Sequence, residues 1–298
     1  MSTELPTRQS YPAVPRPRPA EPPPFAEHLP QEAEPVPVSP TFSVCIVVRD
    51  RPVLLVKAVE SVLTNRFTDF EIMIVDDGSQ IPVTDVLAEA DVLFDSRIRV
   101  IRQPPTGIAP ARNAGLRAAA GRYITVLDSD DELGPDALLH LDRLINSTGT
   151  RWVYADYEEL YPSGSRKRIR LPEYPSAHGM LMGVLTRPRL PFKHSGTTIE
   201  RKLLEEIGHY DESLHIFEDI ELMLRALRAG VHPRHLAHPI IVFRRHDGNI
   251  TRNRLDGLGI WFSLIETYGP RNKLFRRSMI KLLRAMSEIG KWLVSIGR

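Results

Sequence analysis

Residues Arg122–Asp131 read RYITVLDSDD, and the rest of the chain is organised around them. Tyr123 to Leu127 form a short β-branched and apolar run, the pattern of a strand buried on both faces. The run ends in three carboxylates, Asp128, Asp130 and Asp131, set around Ser129. Like charges this close repel unless a cation or donor groups hold them. In open α/β sheets, ligands sit just beyond the carboxyl ends of the strands. A D-x-D step at such an end offers hard oxygen ligands of the kind Mg²⁺ or Mn²⁺ takes while also holding substrate phosphates. Read alone, the same step is an acidic turn ahead of a helix that opens at Pro135.

Upstream the periods alternate. Ser43 to Val48 read as a buried strand, and Pro52 opens a helix through Leu63. Phe70 to Val75 form a second strand, running into Asp76-Asp77-Gly78-Ser79. A helix from Val83 to Phe94 and a strand from Arg97 to Ile101 follow. Ala111 to Ala119 make the next helix, with Gly121 as its stop. With a further helix from Pro135 to Ile145, the order βαβαβαβα predicts a mostly parallel sheet flanked by helices on both faces. Asp76-Asp77 and Asp128 to Asp131 then share one edge of that sheet. Gly78 allows a sharp turn that leaves a carboxylate free for a base or ribose, while Ser79 fits the cap of the following helix.

From Thr150 the alternation breaks. Trp152 to Tyr157, Arg166 to Ile169, Thr198 to Glu200 and Pro239 to Phe243 read as strands, and Lys193 to Thr197 as a loop. Phe217-Glu218-Asp219 opens a helix from Ile220 to Ala229. A carboxylate in a first helical turn is stabilised by the unpaired N–H groups there, so Asp219 serves either as a cap or as a base for an acceptor hydroxyl.

These residues resemble the GT-A glycosyltransferases of family 2 over roughly Phe42 to Thr251. Ser61-Val62-Leu63, Glu71 through Ser79, Gly107 through Ala111-Arg112-Asn113-Ala114-Gly115, and Gly121 to Asp131 carry the likeness. Gly208-His209-Tyr210-Asp211-Glu212 and Phe217-Glu218-Asp219 with Leu222 and Arg225 continue it in the same order. The resemblance implies a GT-A, Rossmann-like domain over 41–252, with a nucleotide-sugar half at 41–148 and a mixed acceptor-side half at 149–252. It also implies an inverting, metal-dependent transferase drawing on a nucleotide-diphosphate sugar, with a UDP-sugar favoured, and a glycan or lipid-linked acceptor.

Position by position, the resemblance puts Asp77 on the nucleobase with Asp76 behind it, Asp128 by the ribose or metal shell, and Asp130 on Mn²⁺ or Mg²⁺. Arg112 falls near the donor, Asp219 becomes the base, and Glu218 binds or orients the acceptor. Where the family writes P-x-Y-N, this chain has Val47-Val48-Arg49-Asp50, so the stacking aromatic is missing. Arg49 or Asp50 then reads another nucleotide, or only the ribose. Arg244 to Asn249 resemble the family's Y-R-x-H-x-x-S, in which His246 completes the metal site or touches the diphosphate, its alternative being structural. The alternative for the whole chain is a non-catalytic nucleotide-sugar or glycan-binding protein on the same scaffold.

The flanks differ from this core. Residues 1–40 hold 12 of the 26 prolines, a composition that predicts a disordered or polyproline II tail. The net charge of +2 gives no whole-chain bias toward nucleic acid. A single cysteine, Cys45, excludes an internal disulfide and fits a reducing compartment. No signal-like or membrane-length apolar run is present, so the expected place is the cytoplasm. Residues 253–298 read as basic amphipathic helices. From Pro270 onward they carry eight basic residues against Glu288 alone, with Leu274, Met279, Leu282, Leu283 and Met286 among the apolar positions. Such a helix either lies on the inner face of an anionic membrane or packs on the core with its basic side solvated.

Overall fold

The computed structural model describes residues 39–245, 257–270 and 274–296. The Pro-rich stretch 1–38 and His246 lie outside them. Strands β1 (Phe42–Val48), β2 (Phe70–Asp77), β3 (Ile98–Gln103) and β4 (Tyr123–Asp128) form a parallel block. Strand β5 (Glu132–Leu133) follows at once, then β6 (Trp152–Leu160), β7 (Arg166–Ile169), β8 (Thr198–Glu200) and β9 (Arg234–Arg244). The sheet runs β3-β2-β1-β4-β8-β6-β9-β5, with β7 paired to β6. Beyond β4 the pairing is mixed: β8 is antiparallel to β4 and β6, while β6 and β9 are parallel. The alternation of periods stops at Thr150, and the parallel block ends with it.

Both faces of β1 are covered, as an uninterrupted apolar strand requires. Phe42, Val44, Ile46 and Val48 join one core with helices α1 (Pro52–Leu63), α2 (Val83–Glu89) and α4 (Ala137–Thr148). Cys45 belongs to the core on the opposite face. Helices α3 (Ile108–Ala118), α5 (Ala177–Thr186), α6 (Arg201–Ile207), α7 (Glu218–Arg228) and α8 (Leu258–Tyr268) contribute to that second core.

Three local expectations are corrected. Helix α2 stops at Glu89 rather than Phe94, because Asp91 takes a left-handed φ of 58° and turns the chain. Ser79 is not the cap of α2, whose cap position is Pro82; the Asp76 carboxylate accepts the N–H groups of Ser79 (2.8 Å) and of Val83 in the first turn (3.4 Å). Gly121 does not end α3, which stops at Ala118. It is glycine because the chain passes against β1, where a Cβ would lie 2.5 Å from the Ser43 nitrogen and 2.7 Å from the Phe42 carbonyl carbon.

Helix α9 (Leu274–Ile296) packs against α8 and α5. Its basic residues are only partly solvated. Arg284 is buried and donates to the carbonyl oxygens of Val184 (2.6 Å) and Leu185 (3.2 Å) at the end of α5. No helix among the described residues is long and apolar enough to cross a membrane.

Candidate active site

The parallel register puts the acids of two strands on either side of the end of β1. Val47 is level with Asp128 on β4 and Val48 with Asp76 on β2. After β4 the chain turns tightly, the Asp131 N–H reaching the Asp128 carbonyl at 2.9 Å. β5 then pairs with β9, where the Arg244 N–H donates to Asp131 (3.3 Å) and its guanidinium pairs with Glu132. Ser61, from the sequence signature in α1, accepts the Leu133 N–H at 2.9 Å and fixes the other side of the turn.

One carboxylate oxygen each from Asp128, Asp130 and Asp131 lies within 4.8 Å of the other two. Each acid has a cation. Arg112 reaches Asp128 at 3.1 Å, Arg51 reaches Asp130 at 2.6 Å, and the Lys193 ammonium lies 3.9 Å from Asp131. Burial would raise Asp128, but Arg112 and Lys193 outweigh it and hold the carboxyl below its ordinary value. Burial, reinforced by Asp128 and Asp130, pushes Asp131 up to about 7. Its Oδ2 is buried without a hydrogen-bond partner. A divalent ion suits this set: three hard oxygen donors, mutually repelling, with one buried acceptor atom still unsatisfied. Two oxygens on opposite sides of an ion bound at about 2.1 Å stand about 4.2 Å apart, which fits inside the 4.8 Å span of the trio.

Arg112 links the trio to the second half of the chain. Projecting from α3, it is nearly buried, pairs with Glu218 as well as Asp128, and lies 5.6 Å over the Tyr210 ring. Asn113 beside it clasps Tyr210 through both backbone groups (2.9 and 3.0 Å) and Glu212 at 2.8 Å. Arg225 of α7 donates to the carbonyls of Ile207, Gly208 and His209 at 2.6–2.8 Å. The A-R-N, G-x-Y-D-E and E-D-x-x-L-x-x-R stretches, far apart in sequence, are thus stitched into one wall. Tyr210 in turn hydrogen-bonds His194 (3.0 Å), which burial and Arg112 keep well below the usual histidine range and therefore neutral.

Phe217 precedes α7 with φ 66°, a strained setting for a bulky residue, and turns the first helical residues toward the trio. Glu218 is held by Arg112; burial raises its carboxyl and Arg112 opposes the rise. Asp219 is half-buried and uses one oxygen on the Ile220 N–H at 2.8 Å. Burial raises it as well, against Arg112 and that N–H.

Asp77 and Asp76 lie two strands from Asp128, roughly 10 Å across the sheet. Both oxygens of Asp77 are occupied: Oδ1 accepts from Gln103 and the Thr106 N–H (2.9 Å each), Oδ2 from the Gly107 N–H (3.0 Å). Asp76, fully buried, pairs with Arg102 at 3.2 Å besides accepting the Ser79 and Val83 N–H groups. Asp50 has a left-handed φ of 52°, accepts the Gln80 N–H at 2.8 Å and donates its own N–H to Ser79 at 3.1 Å. Arg49 is exposed, 3.8 Å from Asp50. Arg112, Asp128, Asp130, Glu218 and Asp219 therefore gather in one place, while Asp76, Asp77, Arg49 and Asp50 line the neighbouring strand ends. Sequence reasoning gave no role to Arg51, Lys193, Tyr210 or His194, although Tyr210 stood in the Gly208–Glu212 likeness and Lys193 and His194 in the loop read ahead of β8.

A sequence profile of glycosyl transferase family 2 matches residues 43–208, more than half of the chain. The chain belongs to glycosyl transferase family 2. It is a glycosyltransferase, and Glu218 and Asp219 stand just beyond the matched stretch. The succinoglycan biosynthesis protein ExoO of Rhizobium meliloti (strain 1021) is 29% identical over 255 residues, 81% of this chain and 72% of that protein. The uncharacterized glycosyltransferase EpsJ of Bacillus subtilis (strain 168) is 26% identical over 71% of this chain and 63% of its own length. The crystal structure of S. aureus TarS residues 1–349 in complex with UDP-GlcNAc superposes with a TM-score of 0.62 at 15% identity, over 84% of this chain and 73% of that one. That likeness is one of fold, and the fold of this family 2 member is GT-A.

Proposed function

We propose that this enzyme moves a sugar, with inversion, from a nucleoside-diphosphate sugar to an acceptor hydroxyl. The observation that carries the reading is Asp219 in the first turn of α7, near enough to feel the charges of Arg112, Asp128 and Lys193 and next to Glu218, which Arg112 ties to Asp128. Asp219 takes the acceptor proton as the hydroxyl attacks the anomeric carbon from the face opposite the diphosphate. Its raised affinity for protons suits a base near neutrality. Glu218 and Arg112 position the acceptor side against the donor side. Asp76, Asp77, Arg49 and Asp50 line the end that takes the nucleoside. UDP is the favoured carrier, from the ligand bound by TarS. Asp128 and Asp130, with Asp131 behind them, would hold Mn²⁺ or Mg²⁺, which supplies charge neutralisation for the departing diphosphate. Lys193 and Arg51 add fixed positive charge at the same place.

The division into a nucleotide-sugar half (41–148), an acceptor half (149–252) and a C-terminal segment (253–298) belongs to this reading. The acceptor is a glycan or a lipid-linked molecule. A lipid-linked one would bring residues 253–298 to the inner membrane face. Asp219→Asn tests the assignment. Transfer should fall about 10²–10⁴-fold, while calorimetric binding of UDP with Mn²⁺ stays unchanged. Near-normal turnover would remove Asp219 from the chemistry.

A further inference from the structure

Helix α9 is packed inside out for a surface helix. Its inward line is Ile280, Arg284 and Glu288. Arg284 lies 3.7 Å from the Trp261 ring centroid, Arg277 and Lys281 pair with Glu266 of α8, and Lys291 pairs with Glu288 at 2.5 Å. Four of the five basic residues described on this helix are therefore engaged with protein. The outward line is Phe275, Met279, Leu282, Met286 and Ile289, with Leu283 beside it, each between 43% and 75% exposed. Their spacing of four, three, four and three residues keeps them on one face for about 21 Å. Seven of the ten large apolar side chains exposed among the described residues lie on this helix. A concentration of that kind on one face marks an interaction site rather than ordinary surface.

We propose that this line docks on an anionic lipid bilayer, with α9 lying in the plane of the interface; the proposal rests on the reading of 253–298 as the membrane-facing segment. Charge selects the occupant. Residues 270–298 carry Arg271, Lys273, Arg276, Arg277, Lys281, Arg284, Lys291 and Arg298 against one acid, Glu288. A second copy seated on the same face would bring two such segments together, like charge against like. Anionic headgroups meet the excess instead, and exposed Arg276 stands next to the apolar line to receive them. No described helix spans a bilayer, so the contact is lateral. Through α9 on α8 and α8 on α7, docking holds the helix that carries Asp219 near the lipid surface.

Flotation of the full chain tests this, using vesicles of phosphatidylcholine alone and with a quarter phosphatidylglycerol. The chain should float with the anionic vesicles and much less with the neutral ones. The triple variant Phe275→Ser/Leu282→Ser/Met286→Ser, altered only at exposed positions, should lose roughly tenfold or more in partitioning while its circular dichroism melt is unchanged. Arg276→Gln should lose a few-fold, an effect erased by high salt. Wild type that stays unbound, or binds both vesicles alike, overturns the proposal. So does a dimer in sedimentation velocity that the triple variant abolishes without any effect on vesicles. Asp219→Asn protein must float like wild type, so a failure of docking and a failure of the transfer mechanism are read separately.

Discussion

At the scale of single residues, Arg51 and Asp130 form a contact that an arriving ion has to displace. The guanidinium lies 2.6 Å from the carboxylate that a divalent cation would use. Arg51→Gln should therefore bind Mn²⁺ more tightly, by about three- to tenfold in calorimetry, even if turnover falls for want of positive charge near the diphosphate. A weaker affinity would mean that Arg51 supports the trio rather than competing for it. His194 carries a different signature. Its folded form stays neutral far below the ordinary value of about 6.5, so the unfolded chain binds more protons once the pH drops under that value. Stability present at pH 7–8 is then lost as the pH falls below about 6.5, by at most about 1.4 kcal/mol per pH unit. The raised Asp131 and Glu218 carboxyls act in the opposite sense over the same range, so the test is the difference between wild type and His194→Gln: it should shrink as the pH falls from 7.5 to 5.5. Asp128, Asp130 and Asp219 were legible because acids at strand ends and helix starts have few bland uses. Arg51 was not: its partner lies 79 residues away, and one arginine before a proline carries no signal of its own.

At the scale of elements, the first four strands were readable within a residue or two, since β1, β2 and β4 are apolar runs too short for a helix and β3, IRVIRQ, is a short run rich in Ile and Val. Helix α5 was not anticipated. Its sequence AHGMLMGVLT holds two glycines among apolar residues, and burial of Met180, Leu181, Val184 and Leu185 outweighs the weak local propensity. Gly121 shows the opposite failure, a correct residue with the wrong reason attached. Because the obstacle is β1 backbone and not a flexible side chain, Gly121→Ala should destabilise by about 3 kcal/mol in urea unfolding. An alanine tolerated within about 0.5 kcal/mol would show that the α3–β4 link can move away from β1.

At the scale of the whole molecule, two cores share one sheet, and the site lies at the edge where both helix layers begin. The sequence pattern carried that layering, because β1, β2 and β4 are apolar on both faces. It could not say which side of α9 turns inward, since an amphipathic pattern names two faces and leaves their orientation to packing. Cys45 sits on the α3 side of β1, its sulfur 4.0 Å from the point where a Cβ on Gly115 would fall. It lines a small cleft beneath Arg112, Asp128 and Tyr210. Burial, helped by nearby Glu71, pushes the thiol far above its ordinary value, so it is inert while α3 stays seated. As the chain's sole sulfhydryl, it makes alkylation a built-in timer for the parting of α3 from the sheet. Maleimide labelling of the untouched protein should be slow, and slower again with UDP and Mn²⁺ present; equal rates would mean that ligand leaves α3 no more firmly seated than before.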